Sequence, residues 1–192
     1  MANLYFITHP DVRIDPDVPV QQWPLSARGL DRMRAALARH WVPWLRSLWC
    51  STERKAMDGA AILSAHLGLP IQVLAALDEN DRSATGYLPR AEFDATADQF
   101  FAHPETSIRG WERAIDAQRR IVTAIGAIIA QRSAEGDVAV VAHGGVGTLL
   151  LCHLKGRAIS RTEDQPANNG GNYFYFDMTT CRLIQGWQAI DR

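Results

Sequence analysis

The 192-residue sequence is short of several things, and each shortage excludes a class of protein. Three cysteines, Cys50, Cys152 and Cys181, are scattered with no C-x-x-C spacing. That argues against a disulfide framework or a structural zinc site and for a reducing compartment. The net charge is −1 and the pI about 6.6, so no global basic field exists to draw in nucleic acid or an anionic membrane. An anionic substrate would have to be held by local cations. Apolar runs such as VAVVA and TLLLC are far too short to span a bilayer. The opening MANLYFITHPDVRID has no basic segment followed by an apolar stretch, so no signal peptide is expected and the chain reads as cytoplasmic. No repeat or low-complexity tract interrupts it. What remains, 47% hydrophobic and 21% charged residues, suits one folded domain over residues 1–192.

Strand and helix patterns alternate along that domain. Residues 3–8, NLYFIT, read as a buried strand, followed by a loop rich in proline at Pro10, Pro16, Pro19 and Pro24. Ser26 is placed to cap a helix carrying Leu30, Met33, Leu37 and His40. LRSLWC, residues 45–50, reads as a second strand that leads into a helix closed by Gly68 and Pro70. IQVLAAL, residues 71–77, is a third strand candidate. Residues 78–110 are polar, with one helix expected near Ala91–Phe101, as in a lid or substrate insertion. A long helix is expected over Ser107–Ser133. VAVVAH is then the most strand-like run, broken by Gly144 and Gly145, and VGTLLLCHLKG resumes as helix. NYFYFDM and RLIQGW close the chain as a hairpin turning near Thr179–Cys181. This order predicts an α/β fold, a three-layer α/β/α sandwich on a mostly parallel sheet.

Ligands of such sheets bind beyond the carboxyl ends of the strands. That rule selects Thr8–Pro10, Cys50–Lys55, Asp78–Arg82 and His143–Gly145. His9 and His143 each follow a strand, where an imidazole serves as nucleophile, base or metal ligand, or is merely structural. In A-H-G-G-V-G-T the glycines let backbone N–H groups approach an anion at a helix N-terminus, with Gly144 the first of them. The spacing is not that of a dinucleotide fingerprint. In S-T-E-R-K, Arg54 and Lys55 are two cations that can meet phosphate or simply face solvent. L-D-E-N-D-R offers the carboxylic acids Asp78 and Glu79, and Arg82 is a further candidate cation. Trp111, Tyr87, Phe100 and Phe101 can line an apolar substrate wall or pack a small core.

These segments together resemble the histidine phosphatase superfamily, in its phosphoglycerate mutase-like branch. F-I-T-H-P stands where the family has a strand ending in R-H-G, and P-L-S-A-R-G resembles its P-L-T-x-x-G helix start. S-T-E-R-K-A-M-D-G-A, L-D-E and V-A-H-G-G follow in the family's order. The resemblance implies a phosphoglycerate mutase-like fold and a phosphatase acting on a small phosphorylated substrate, without cofactor or metal. His9 would become a phosphohistidine, His143 would stabilise the phosphoryl oxygens, and Glu79 would be general acid and then base. Two family residues differ. Thr8 replaces an arginine phosphate ligand, and Pro10 replaces a glycine. Lys55 takes the position of a second arginine, with Arg54 beside it. Arg82 is the expected replacement for the missing cation. A weak or inactive phosphate-binding protein, a mutase-type phosphotransferase and a plain flavodoxin-like binding domain are the competing expectations. The distance between His9 and His143 separates them most cheaply.

Overall fold

Successive side chains of a strand point to opposite faces of its sheet, so a fully apolar strand must be covered on both sides. In a computed structural model, which describes residues 2–131 and 136–192, the first strand, β1 (Asn3–Thr8), is such a strand. Tyr5 and Ile7 face one core and Leu4 and Phe6 the other. The first core is closed by two helices, α1 (Ala27–Ala36) and α2 (Arg54–Leu67), through Met33, Ala56, Ala60 and Leu63. The second is closed by α4 (Ala114–Gln131) and α5 (Gly144–Leu154), through Ile121, Ile125, Ile128, Val146 and Leu150. Between α2 and α4 lies α3 (Arg90–Ala102), which packs Phe100 and Phe101 against Trp111 and Leu149 in a small third cluster.

The remaining strands are β2 (Leu45–Cys50), β3 (Ile71–Val73), β4 (Asp137–Ala142), β5 (Asn172–Asp177) and β6 (Leu183–Ala189). They form one sheet in the order β3-β2-β4-β1-β5-β6. Its first four strands run parallel, and β5 and β6 are added antiparallel. This is the expected sandwich, with the expected closing hairpin at its edge. Among the described residues no helix is long and apolar enough to cross a membrane.

Local chemistry explains most boundaries. The Ser26 hydroxyl accepts the Gly29 N–H and caps α1, while Gly68, at φ 68°, ends α2 in the left-handed conformation. Two expectations are corrected. The third strand stops at Val73, because residues 75–77 form a 3-10 turn that drops Leu77 into the core. The long helix begins at Ala114 rather than Ser107, because Arg109 (φ 52°) and Gly110 (φ 82°) are both left-handed and cannot belong to a right-handed helix. Its expected end at Ser133 lies outside the described residues.

The loop after β1 is held tightly against α1. A Cβ on Gly29 would lie 2.1 Å from the Asp11 carbonyl oxygen, which also accepts the Ser26 N–H at 2.9 Å. Gly29→Ala is therefore expected to lower stability by about 1–3 kcal/mol through forced backbone movement. A urea midpoint equal to that of the unchanged protein would contradict this close approach.

Candidate active site

Parallel pairing of β1 with β4 aligns Thr8 with Ala142, and the His9 N–H extends the ladder by donating to the Ala142 carbonyl at 3.1 Å. His9 and His143, one residue past each strand end, are thereby adjacent. Their ring centroids are 5.2 Å apart and the rings meet edge to face at 67°.

The two imidazoles have different surroundings. His9 Nδ1 lies 3.0 Å from the Pro10 carbonyl oxygen, which can only accept, so the proton sits on Nδ1. The lone pair of Nε2 is left free. His143 Nε2 lies 2.7 Å from the Ser51 hydroxyl, which already accepts the Glu53 N–H at 3.3 Å. The Glu53 carboxylate lies 3.6 Å from the same Nε2, and His143 Nδ1 is a buried atom without a hydrogen-bond partner among the described residues. Both rings are neutral at pH 7. Burial, then the charge of Lys55, pushes His9 down to about 4. Burial, then the neighbouring His9, holds His143 well below its ordinary value.

Glu79 is fixed at the N-terminus of α5. Its carboxylate accepts the N–H of Gly145 at 3.0 Å and of Val146 at 2.9 Å. Burial raises its pKa, but Arg82, His143 and the Gly145 N–H outweigh that and hold it below the usual carboxylate range. Arg120 positions this segment from beneath by donating to the carbonyls of Ala76, Asp78 and Glu79 at 3.0, 2.9 and 3.2 Å. Asp78 faces away and accepts the Thr52 N–H and hydroxyl at 2.7 and 2.6 Å.

The adjacent cations of S-T-E-R-K separate. Arg54 is 63% exposed and pairs with Asp58 at 2.6 Å, outside the cavity that His9 lines. Lys55 is buried on the cavity wall, donating to the Val20 carbonyl at 2.9 Å and to the Glu53 carboxylate. Successive residues of a helix point about 100° apart, so only one of the two can face the site. Arg82 also lines the cavity, 4.0 Å from Glu79 and stacked over Phe93 and Trp111. Gly144, the first residue of α5, lines it beside His9. Thr8 is buried behind His9 and donates its hydroxyl proton to Gln165 at 2.8 Å.

Sequence reasoning passed over Glu53, although its segment was singled out, because it weighed only the cations there. Gln165 and Asn80 carried no signal, yet both line the cavity. That cavity has a volume of about 530 Å³, within the usual range for small-molecule sites. Its outer wall is apolar and includes Trp23, Tyr87, Leu88 and Phe93. Phe100, Phe101 and Trp111 border it but are packed into the third cluster. Among the described residues no group of three or more His, Cys, Asp or Glu is placed to hold a metal ion.

Paired imidazoles at parallel strand ends, above a helix N-terminus, define an α/β protein with a histidine pair at the carboxyl edge of its sheet. Residues 16–176 match the family model of the histidine phosphatase superfamily (branch 1), and the chain belongs to that superfamily. The matched span includes Lys55, Glu79 and His143 and begins after His9. No curated protein matches the sequence significantly. Solved structures share the fold. Mycobacterial glucosyl-3-phosphoglycerate phosphatase with inorganic phosphate superposes with a TM-score of 0.79 at 20% identity, covering 100% of both chains. YhfR of Bacillus stearothermophilus gives 0.78 at 22% identity, over 96% of this chain and 95% of that one. Phosphoserine phosphatase of Entamoeba histolytica, with 3-phosphoglyceric acid, gives 0.76 at 11% identity, over 98% of each.

The depressed pKa of His9 has a definite sign. Unfolded, this imidazole takes up a proton near pH 6.5, whereas folded it stays neutral down to about 4. Its contribution to stability is thus present above pH 6.5 and falls as the pH drops from there towards 4. In an NMR titration the His9 ring is expected to titrate near pH 4, and Lys55→Met to move the midpoint upward. A midpoint at the ordinary value in the unchanged protein would contradict the site's electrostatics.

Proposed function

We propose that this protein is a phosphatase that hydrolyses a small phosphomonoester through a phosphohistidine on His9. The observation that carries the reading is the adjacent pair of neutral imidazoles, one offering a free lone pair and the other a buried Nδ1 without a hydrogen-bond partner. His9 Nε2 attacks phosphorus as the bond to the leaving oxygen breaks. His143 Nδ1 donates to a phosphoryl oxygen, and Lys55, Arg82 and the N–H of Gly144 offset the remaining charge.

Glu79 is ionised at rest, so the leaving group's proton must arrive with the substrate. A phosphate ester has its second pKa near 6. Its monoanion brings one proton, which Glu79 accepts and passes to the leaving oxygen. The carboxylate so regenerated removes a proton from water as that water attacks the phosphohistidine. The P–N bond breaks, its electron pair returns to Nε2, and inorganic phosphate leaves.

Residues 78–110 act as a substrate-selecting insertion within a single domain. Tyr87, Leu88 and Phe93 from this segment, with Trp23 opposite, provide an apolar wall for the organic part of the ester. Tyr87 and Trp23 approach to 5.6 Å between ring centroids across the cavity mouth.

A second reading, a phosphate-binding protein with little turnover, is favoured by one observation. Lys55 is already paired with Glu53, and Thr8 supplies no charge, so the clamp holds less free positive charge than the family pattern has. Acid-quenched trapping with a labelled phosphomonoester panel separates the two. The phosphatase reading expects an acid-labile phosphoprotein that His9→Ala abolishes, whereas binding without trapping supports the second. Lys55→Met is expected to lower kcat/KM about 10- to 100-fold, as for loss of a charged hydrogen bond, and Arg54→Ala to leave it near the starting value. The reverse order of the two variants would refute the cation assignment.

A further inference from the structure

Glu53 is buried, and the mechanism gives it no task. It stands at the N-cap of α2, where a carboxylate ordinarily accepts a free N–H of the first turn, yet its side chain makes no such bond. The carboxylate is turned into the site instead. One oxygen accepts the Glu79 N–H at 3.0 Å and lies 3.6 Å from His143 Nε2. The other accepts from the Lys55 ammonium. Lys55 is 3% and Glu53 6% exposed, so solvent screens the pair poorly. An ammonium has three N–H donors. Lys55 gives one to Glu53 and one to the Val20 carbonyl at 2.9 Å, which leaves one for a phosphoryl oxygen. Both charges reach the nucleophile. After burial, Lys55 is the largest influence that lowers the His9 pKa, and Glu53 acts in the opposite sense.

From this we infer that Glu53 is a positioning residue that holds the Lys55 ammonium at the cavity wall while offsetting its charge, so that the site releases inorganic phosphate as product. The inference rests on the phosphatase reading of the site. Hydrolysis leaves phosphate in the same clamp that stabilises the transferring group, and a fully charged clamp would retain it. Affinity shared equally by product and transition state does nothing for turnover. Glu53 lowers that shared part, because its negative charge opposes any anion in the cavity, whichever bond is forming. It leaves in place the third Lys55 N–H and the N–H groups at the start of α5, whose value lies in their direction. The pairing that weakens the clamp for binding thus serves its emptying.

The test measures inorganic phosphate as ligand and as product inhibitor of the full-length protein, unchanged and as Glu53→Gln and Glu53→Asp. Glutamine keeps the size of the side chain and an acceptor for the Glu79 N–H but removes the charge, whereas aspartate keeps the charge and shortens the chain. Glu53→Gln is expected to bind phosphate about 10-fold to 100-fold more tightly, as for loss of one nearby like charge, with the inhibition constant falling in parallel. Glu53→Asp should bind it no more tightly than the unchanged protein does. A merely structural role predicts weaker binding in both variants, and that result, or an unchanged affinity in Glu53→Gln, overturns this inference while the reading of the site stands. If phosphate leaves the His9 and His143 signals of the unchanged protein unmoved by NMR, both fall. Should a variant fail to fold, a crystal structure of the unchanged protein with phosphate decides. Lys55 Nζ is expected to bond Glu53 and a phosphoryl oxygen at once, and phosphate bound without Lys55, or a Lys55 turned away from Glu53, overturns the inference.

Discussion

The pairing of two apolar parallel strands, β1 and β4, is the constraint on which the rest depends. Their register puts Thr8 beside Ala142, and the next residue of each strand is a histidine. A slip by one residue would point every side chain of β1 to the wrong face, exchanging Tyr5 and Ile7 with Leu4 and Phe6 between the two cores. The packing that stabilises the sheet therefore also fixes the separation of the imidazoles. No residue of the site needs to contribute to stability for the site to be held in place.

The site is close to neutral before anything binds. Lys55 and Arg82 are balanced by Glu53 and Glu79, and both histidines are uncharged. Under the proposed reading, what remains for an anion is directional, the N–H groups of an imidazole and of the α5 terminus. Such donors cost little reorganisation when a phosphoryl group arrives. Glu79 also depends on this arrangement, because Arg82, His143 and the Gly145 N–H outweigh its burial and hold it below the usual carboxylate range.

Much of this was legible in the sequence, and what was not has physical causes. The strand runs, the Ser26 cap, the Gly68 terminus and the histidines after VAVVA and NLYFI are local signals, each complete within a few residues. The choice between Arg54 and Lys55 was not legible, because it depends on which face α2 presents, and the face is set by packing of Ala56, Ala60 and Leu63. The pairing of Thr8 with Gln165 was invisible for a similar reason. The two are separated by 157 residues and meet only because β5 adds to the edge of β1. The start of α4 was misjudged because nothing in the letters of Arg109 announces a left-handed backbone. Glu53 illustrates the remaining gap: a carboxylate among cations reads as surface charge until burial shows that it neutralises Lys55.

The claim that His9 and His143 converge on one phosphoryl group is tested most directly by a crystal structure with orthovanadate, which mimics the five-coordinate transition state. The account predicts vanadium within bonding distance of His9 Nε2, with an equatorial oxygen accepting from His143 Nδ1. Vanadate seated elsewhere in the cavity, or a His9 ring turned so that Nε2 faces the Pro10 carbonyl, would contradict it.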